Sequence, residues 1–595
     1  MKAKADICFE VSWEAANKVG GIYTVIKSKA RQMKKHYKDY YLIGPYIAGK
    51  SELDVEFEDT PRDLVPVFRE MEKQKIKCRY GRWMIESEPK VILIDAGGII
   101  EDKDAWKKLW WESYGIDSLR GAWDFEEPML WASAAGILIE KIAATEPGKN
   151  IVAQCHEWMA GFALLWLKLQ KAKVGTVFTT HATMLGRSIA GSGRDLYAEL
   201  DTMDPKKEAY GCNIESKFTT EYACAQTSDA FTTVSATTAM EAEKILGRKP
   251  DVLVLNGLDS DEFPVMEDLA VLHRQTRDKM RDFFSYYFFP YEGQYFDLEE
   301  TLAFFMVGRY EYRNKGMDVY LEALGQLNET MKKEKTAKRV VAFIWVPAGI
   351  ERTRAEIIES KNYYYHLRTT IRKYSDMIFT NLSNKLLSRE KLTPKNILPE
   401  EFFSAVKKDV WKFQRKGCPP SSTHVLTNET QDTVMRELKR LGLDNGPEDF
   451  VKVIFYPVYL DGNDGFLNLS YYDAMAACHL GVFPSYYEPW GYTPIESAAM
   501  GVPAVTTDLA GCGMYLDEKL KDQKDPGIWI VKRKGRSYSQ VVDSLYTVFH
   551  DYVHLDHSER GERKIAAKKA VELTDWKQLI DNYIEAHNIA IDKVQ

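Results

Sequence analysis

Short apolar runs alternate with helical patterns along this chain, and the alternation occurs twice. In the first half, residues 7–11, 41–43, 91–94, 151–153, 177–180, 230–234 and 252–255 read as strands, with helical patterns at about 23–36, 131–143, 161–171 and 236–246. Strands joined by helices build a parallel sheet covered on both faces, and such sheets bind ligands outside the carboxyl ends of their strands. A second set follows, with strands at 302–307, 340–346, 451–456, 482–484 and 504–507 and a helix at about 317–327. Between the sets, 256–280 is polar and reads as a linker with a lead-in helix. At about 351–445 the alternation lapses into a charged helical stretch carrying Tyr363, Tyr364 and Tyr365, which reads as an insertion serving assembly. The expected fold is α/β: two doubly wound Rossmann-like domains facing a cleft, residues 1–265 and 285–574. The helical insertion sits in the second, and a final helix at about 575–595 packs back on the first. A length of 595 residues is in any case too much for one core.

Charge narrows the partners. With 80 basic and 87 acidic residues the net charge is −7, which argues against nucleic acid as the main partner. No window approaches about 18 uninterrupted apolar residues, so no membrane span is expected. The start of the chain carries no leader pattern. The eight cysteines lie far apart, without CxxC or Cys/His metal spacing. Together these predict a cytoplasmic protein with free thiols.

The segment 479–496 carries the most chemistry. It reads as a buried strand, a glycine-containing turn and a helix start, with Glu488 and Glu496 bracketing the turn. Amides at a helix start attract phosphate, and carboxylates accept bonds from sugar hydroxyls. Thr493 reads as the helix cap and Pro494 as its first turn. Glu496 has the alternative role of favouring the helix dipole, whereas Glu488 has no such structural duty. After the strand at 302–307, Arg309 and Lys315 flank a loop and suit a diphosphate leaving group, or else are solvated charges. After 177–180 come His181 and Arg187, a candidate sugar contact and a phosphate partner, with a structural histidine as the alternative. Gly20 and Gly21, between the first strand and helix, let backbone approach a diphosphate, although the full GxGxxG spacing is missing. Tyr471 is either a nucleobase platform or core. Residues 461–465 imitate a metal loop but lack its distant Glu, and no DxD cluster stands at a strand end. The expected mechanism therefore needs no metal and no cofactor.

These residues resemble the glycogen synthases of the animal and fungal type, a retaining glucosyltransferase family with the two-domain GT-B fold. The likeness rests on 17–22, His156-Glu157-Trp158, 180–183, 307–311, Pro419-Pro420 with Thr423-His424, and the run 479–496. It spans nearly the whole chain. The resemblance implies Glu488 beside the donor glucose and Glu496 on the ribose. It implies Arg309 and Lys315 on the donor diphosphate, His181 at the sugar with Arg187 near it, and Tyr471 on uracil. Gly491, Tyr492 and Thr493 are implied to meet the phosphates, and His156, Glu157 and Trp158 to lie on the acceptor side. The family's arginine-rich effector helix, which binds glucose 6-phosphate, corresponds to a thinned basic face of Arg560, Arg563, Lys564, Lys568 and Lys569. Lys18 replaces an arginine of animal and fungal members; Lys18-Val19-Gly20-Gly21 also fits the Lys-x-Gly-Gly loop of bacterial ADP-glucose users. The expectation is a short member without phosphorylated tails.

The implied activity is transfer of glucose from UDP-glucose, a nucleotide sugar, to the non-reducing 4-hydroxyl of glycogen or another α-1,4-glucan, with retention. Alternatives are a retaining GT-B enzyme with a small acceptor or ADP-glucose, and, in a different class, a non-catalytic glucan-binding scaffold. A phosphorylase is disfavoured because no lysine sits in a pyridoxal phosphate motif. The insertion predicts a homo-oligomer, with a tetramer as one option.

Overall fold

The computed structural model describes residues 1–523 and 525–595. The first sheet contains β1 (Ile7–Val11), β2 (Asp39–Pro45), β3 (Val55–Phe57), β4 (Lys77–Trp83), β5 (Lys90–Asp95), β6 (Ile151–His156), β7 (Gly175–Thr180), β8 (Ala230–Thr233) and β9 (Val252–Leu253). Their order is β3-β4-β5-β2-β1-β6-β7-β8-β9. Every residue of β1, β6, β7 and β8 is buried, as expected for strands covered on both faces. The edge pair β3 and β4 is antiparallel and departs from the all-parallel expectation. In β4, Lys77 and Arg79 are exposed while Tyr80 and Trp83 are buried, so its one-sided pattern carried no continuous apolar signal.

The second sheet contains β10 (Thr301–Val307), β11 (Arg339–Trp345), β14 (Val451–Tyr456), β15 (Leu480–Val482), β16 (Ala504–Thr507) and β17 (Ile528–Val531). All are parallel, in the order β14-β11-β10-β15-β16-β17. Read in chain order this is the doubly wound 3-2-1-4-5-6 arrangement, whose switch point lies between β10 and β15. In the first sheet the corresponding switch point lies between β1 and β6.

Two boundaries differ from the sequence reading. The supposed linker holds one helix, Met266–Phe288, whose second half buries Met280, Phe283, Phe284, Tyr286, Tyr287 and Phe288 in the second core. The insertion consists of helices Ala355–Lys373, Ser375–Leu387, Pro394–Ile397 and Glu400–Phe413. A short antiparallel pair, β12 (Ile350–Thr353) and β13 (His424–Leu426), closes its base. Helix Thr433–Arg440 then returns to the domain, with Val434 and Leu438 in the core, so the insertion ends well before 445. Helix Trp576–Asp592 lies on the first domain: Trp576 Nε1 donates to Ser28 Oγ at 2.7 Å and Tyr37 Oη meets His587 Nδ1 at 2.7 Å. Gly257 is required beneath it, because a Cβ there would stand 2.5 Å from the Trp576 ring. Among the described residues no helix is long and apolar enough to cross a membrane.

Candidate active site

Two loops of the second domain interlock at its switch point. After β10, Gly316 adopts φ +75°, and a Cβ there would lie 2.1 Å from the Pro484 carbonyl oxygen. The amide of Tyr486 donates to Asn314 O at 2.9 Å. The loop after β15 is thereby fixed against the loop after β10, and Lys315 Nζ donates to Glu488 Oε2. Gly491, at φ +94°, leaves room for Glu488: a Cβ would sit 3.0 Å from Glu488 Cγ. Arg309 extends into solvent from the same loop, 69% exposed, with its guanidinium 2.9 Å from Glu311.

Glu496 lies in helix Thr493–Ala499 and is buried. The hydroxyls of Tyr471 and Tyr472 donate to its two oxygens, each at 3.1 Å, and burial raises its carboxyl. Thr493 is the first helical residue and Tyr492 the cap position, without a side-chain capping bond. The expected Thr493 cap is therefore incorrect, because Pro494 falls one position further into the helix than that reading required.

The first domain faces these loops with His181 and Arg187, which follow β7. A buried relay sets His181: Lys29 Nζ bonds Glu10 Oε1 at 2.6 Å, His156 Nε2 lies 2.7 Å from that oxygen, and His156 Nδ1 lies 2.9 Å from His181 Nε2. Burial would raise the Glu10 carboxyl, but Lys29 and His156 hold it well below the usual range. Burial, then His156 and Lys29, push His181 well down, so it is neutral at pH 7. Glu157, at φ +66°, accepts from the amides of His181 at 2.8 Å and Ala182 at 3.2 Å.

The acceptor-side assignment needs correction. His156 stands behind His181, and Trp158 is core, stacked on Phe125 at 5.6 Å between centroids; the relay, Glu157's hold on the His181 loop and its charge near Arg187 link this motif to the cleft. The glycine loop also differs from expectation. Lys18, Gly20 and Gly21 are exposed, but the amides of Gly20 and Tyr23 donate to Glu14 at 2.8 Å each. An internal carboxylate thus occupies the Gly20 amide, one of the two assigned to phosphate.

Sequence reasoning missed Glu14, Glu221 and Glu241, which with Glu157 and Glu311 surround Arg187. Burial pushes Glu241 up to about 7, and it raises the coupled pair Glu157 and Glu221 as well. Burial of Arg187 opposes its charge, but the carboxylates, Glu157 foremost, raise its pKa above the ordinary value. Tyr487 reaches across the cleft to donate to Glu241 at 3.3 Å, and Tyr486 donates to Asp195 at 2.6 Å. Lone glutamates, Glu14 in a turn and Glu221 and Glu241 in separate helices, give no local signal; Tyr486 and Tyr487 could have been suspected from their place beside Glu488.

The basic face divides. Arg560 and Lys564 line a cavity of about 150 Å³ with Arg277, Arg281, His479 and His557. Burial, with Arg277 and Arg560 nearby, lowers Lys564 to about 7. Arg563 instead pairs with Asp525 at 3.1 Å, and Lys568, one turn beyond Lys564 on the same face, donates to the Ala499 carbonyl at 2.8 Å.

Two facing Rossmann-like domains with carboxyl-end loops converging on one cleft define a GT-B glycosyltransferase. The catalytic domain of starch synthase IV from Arabidopsis thaliana, bound to ADP and acarbose, superposes with a TM-score of 0.51 at 14% identity, covering 99% of this chain and 100% of that one. A family profile described as glycogen synthase matches residues 10–595. Mouse liver glycogen [starch] synthase (Mus musculus) is 34% identical over 589 residues, 99% of this chain and 83% of the relative. Isoform 2 from Saccharomyces cerevisiae is 35% identical over 613 residues, 98% of this chain and 86% of the relative. The chain belongs to the glycogen synthase family.

Proposed function

We propose that the protein transfers glucose from UDP-glucose to the non-reducing 4-hydroxyl of an α-1,4-glucan with retention of configuration. The observation that carries this reading is the Lys315–Glu488 pair at the switch point of the second sheet, with neutral His181 in the loop after β7 of the first. Lys315 leaves Glu488 for the donor diphosphate, and Arg309 swings in from solvent to share the departing charge. Glu488 then holds the sugar, Glu496 the ribose, with Tyr471 beside the base. His181, held by its relay, accepts or donates a hydrogen bond at the sugar without carrying charge. A donor phosphate oxygen takes the acceptor proton, and closure of the cleft by Tyr486 and Tyr487 limits hydrolysis. Two protein cations handle the leaving group, so no divalent metal is required in this mechanism.

Glucose transfer to glycogen, measured with UDP-glucose and ADP-glucose with and without EDTA, tests the reading. The expected result is preference for UDP-glucose and an unchanged rate in EDTA. A strict divalent requirement, or full activity in Glu488→Ala or Arg309→Ala, overturns it. Small sugars as competing acceptors test the alternative acceptor class.

We propose further that the Arg277, Arg281, Arg560 and Lys564 cavity takes a phosphate-bearing effector, the role left to the thinned basic face. Lys564 is charged below about 7, so anion affinity falls as pH rises through that value. Sulfate, whose charge is constant there, should bind more weakly at pH 8 than at pH 6 by calorimetry, and Lys564→Met should reduce the pH dependence. Finally, the insertion is the proposed homo-oligomer contact: Phe379 and Leu386, 70% and 58% exposed, lie seven residues apart on one helix face. Free, mostly buried cysteines fit a cytoplasmic setting.

A further inference from the structure

The outer face of the second domain holds a cluster that the cleft chemistry does not use. Helices Met317–Glu334 and Tyr538–His554 pack together there, with Tyr320 against Phe549 and the Thr330 and Tyr546 hydroxyls 3.0 Å apart. Glu334 ends the first helix, and His550 and His554 stand one turn apart at the end of the second. One ligand atom from each of these three residues falls within 4.8 Å of the others.

Two features set this group apart from an ordinary ion pair. The first is spacing. His550 Nε2 lies 2.9 Å from Glu334 Oε1, and His554 Nε2 lies 3.5 Å from Glu334 Oε2. Bonds of about 2.0 Å in tetrahedral geometry place neighbouring ligand atoms about 3.3 Å apart, and the two observed distances bracket that value. The imidazole centroids, 4.4 Å apart, show both rings turned to the same side. The second is the outer hydrogen bond of His554. Its Nδ1 lies 2.8 Å from the His550 carbonyl oxygen, which accepts only, so Nδ1 carries the hydrogen. The other ring nitrogen, Nε2, is the one turned to the Glu334 carboxylate. Metal-binding histidines are held by this kind of bond from the second ring nitrogen to a backbone carbonyl.

We propose that Glu334, His550 and His554 form a binding site for a divalent transition metal of the zinc type. Two imidazoles and one carboxylate suit zinc, cobalt or nickel rather than magnesium or calcium, which take oxygen ligands. The side chains are about one-third to one-half exposed, so the site is reachable and water completes the coordination. The ion bolts together the ends of two helices, the first of which starts at Met317, two residues after Lys315.

Full-length protein stripped with chelator and dialysed is titrated with zinc chloride against a chromophoric competitor, and with cobalt chloride by visible absorption. The expected result is one micromolar-range site per chain, a cobalt spectrum of low coordination number, and a rise in melting temperature with zinc. His554→Ala, at an exposed position, should weaken zinc at least about tenfold, abolish the cobalt bands and the thermal shift, and leave glucose transfer unchanged. Glu334→Gln should weaken binding in the same direction. Equal zinc affinity in wild type and His554→Ala, or no zinc uptake by the wild type, overturns the proposal.

Discussion

At the scale of single residues, the charges of the cleft are arranged in opposed pairs that a substrate must rearrange. Lys315 is tied to Glu488, so it meets the diphosphate with its position already set. Lys315→Met should lower kcat about 100-fold or more with a smaller change in the KM for glycogen; steady-state assays check this. Glu241 makes a second prediction. Its carboxyl stays protonated up to about 7, against an ordinary value of 4.5. Its contribution to stability is therefore full below 4.5 and is lost as pH rises through about 7, on the order of 3 kcal/mol. Melting temperature should fall across that window, and Glu241→Gln should flatten the fall; an unchanged slope would rule the assignment out. Glu488 and Lys315 were legible because each follows an apolar run that could only be a strand. Glu14, Glu221 and Glu241 were not, since their burial depends on distant segments meeting around Arg187.

At the scale of elements, the loops after β10 and β15 act as one piece. Gly316→Ala meets both a left-handed φ and the Pro484 carbonyl at 2.1 Å, whereas Gly442→Ala meets only φ +65° in open space. Both should lose about 1 kcal/mol or more from backbone strain, but only Gly316→Ala should also lose transfer activity, because it displaces Lys315. Thermal melts and assays of the two variants separate these effects. Most buried parallel strands announced themselves as apolar runs. The one-sided β4 and the amphipathic helix Thr433–Arg440 did not, because each hides its few core residues among charges. Trp158 misled in the opposite way: a motif residue beside the site proved to be packing.

At the scale of the molecule, Phe379→Asp combined with Leu386→Asp should lower the mass measured by light scattering to that of a single chain while the melting temperature of the remaining fold is kept. An unchanged mass would move the contact elsewhere. The two-domain plan was readable because the alternation of strands and helices starts afresh after 300. The partner of the last helix could be stated only as an expectation, since a contact such as Trp576 to Ser28 joins residues 548 positions apart. That contact has a consequence for synthesis. The first domain's sheet leaves the ribosome long before the helix that covers it, so Val152, Val177 and Ala230, which share a core with Trp576, Tyr583 and Ile584, wait without their lid until the whole second domain has been made. A nascent chain stalled inside the second domain should therefore hold its first domain open, bind chaperones and be cut readily by protease, and become resistant only once Trp576–Asp592 has emerged.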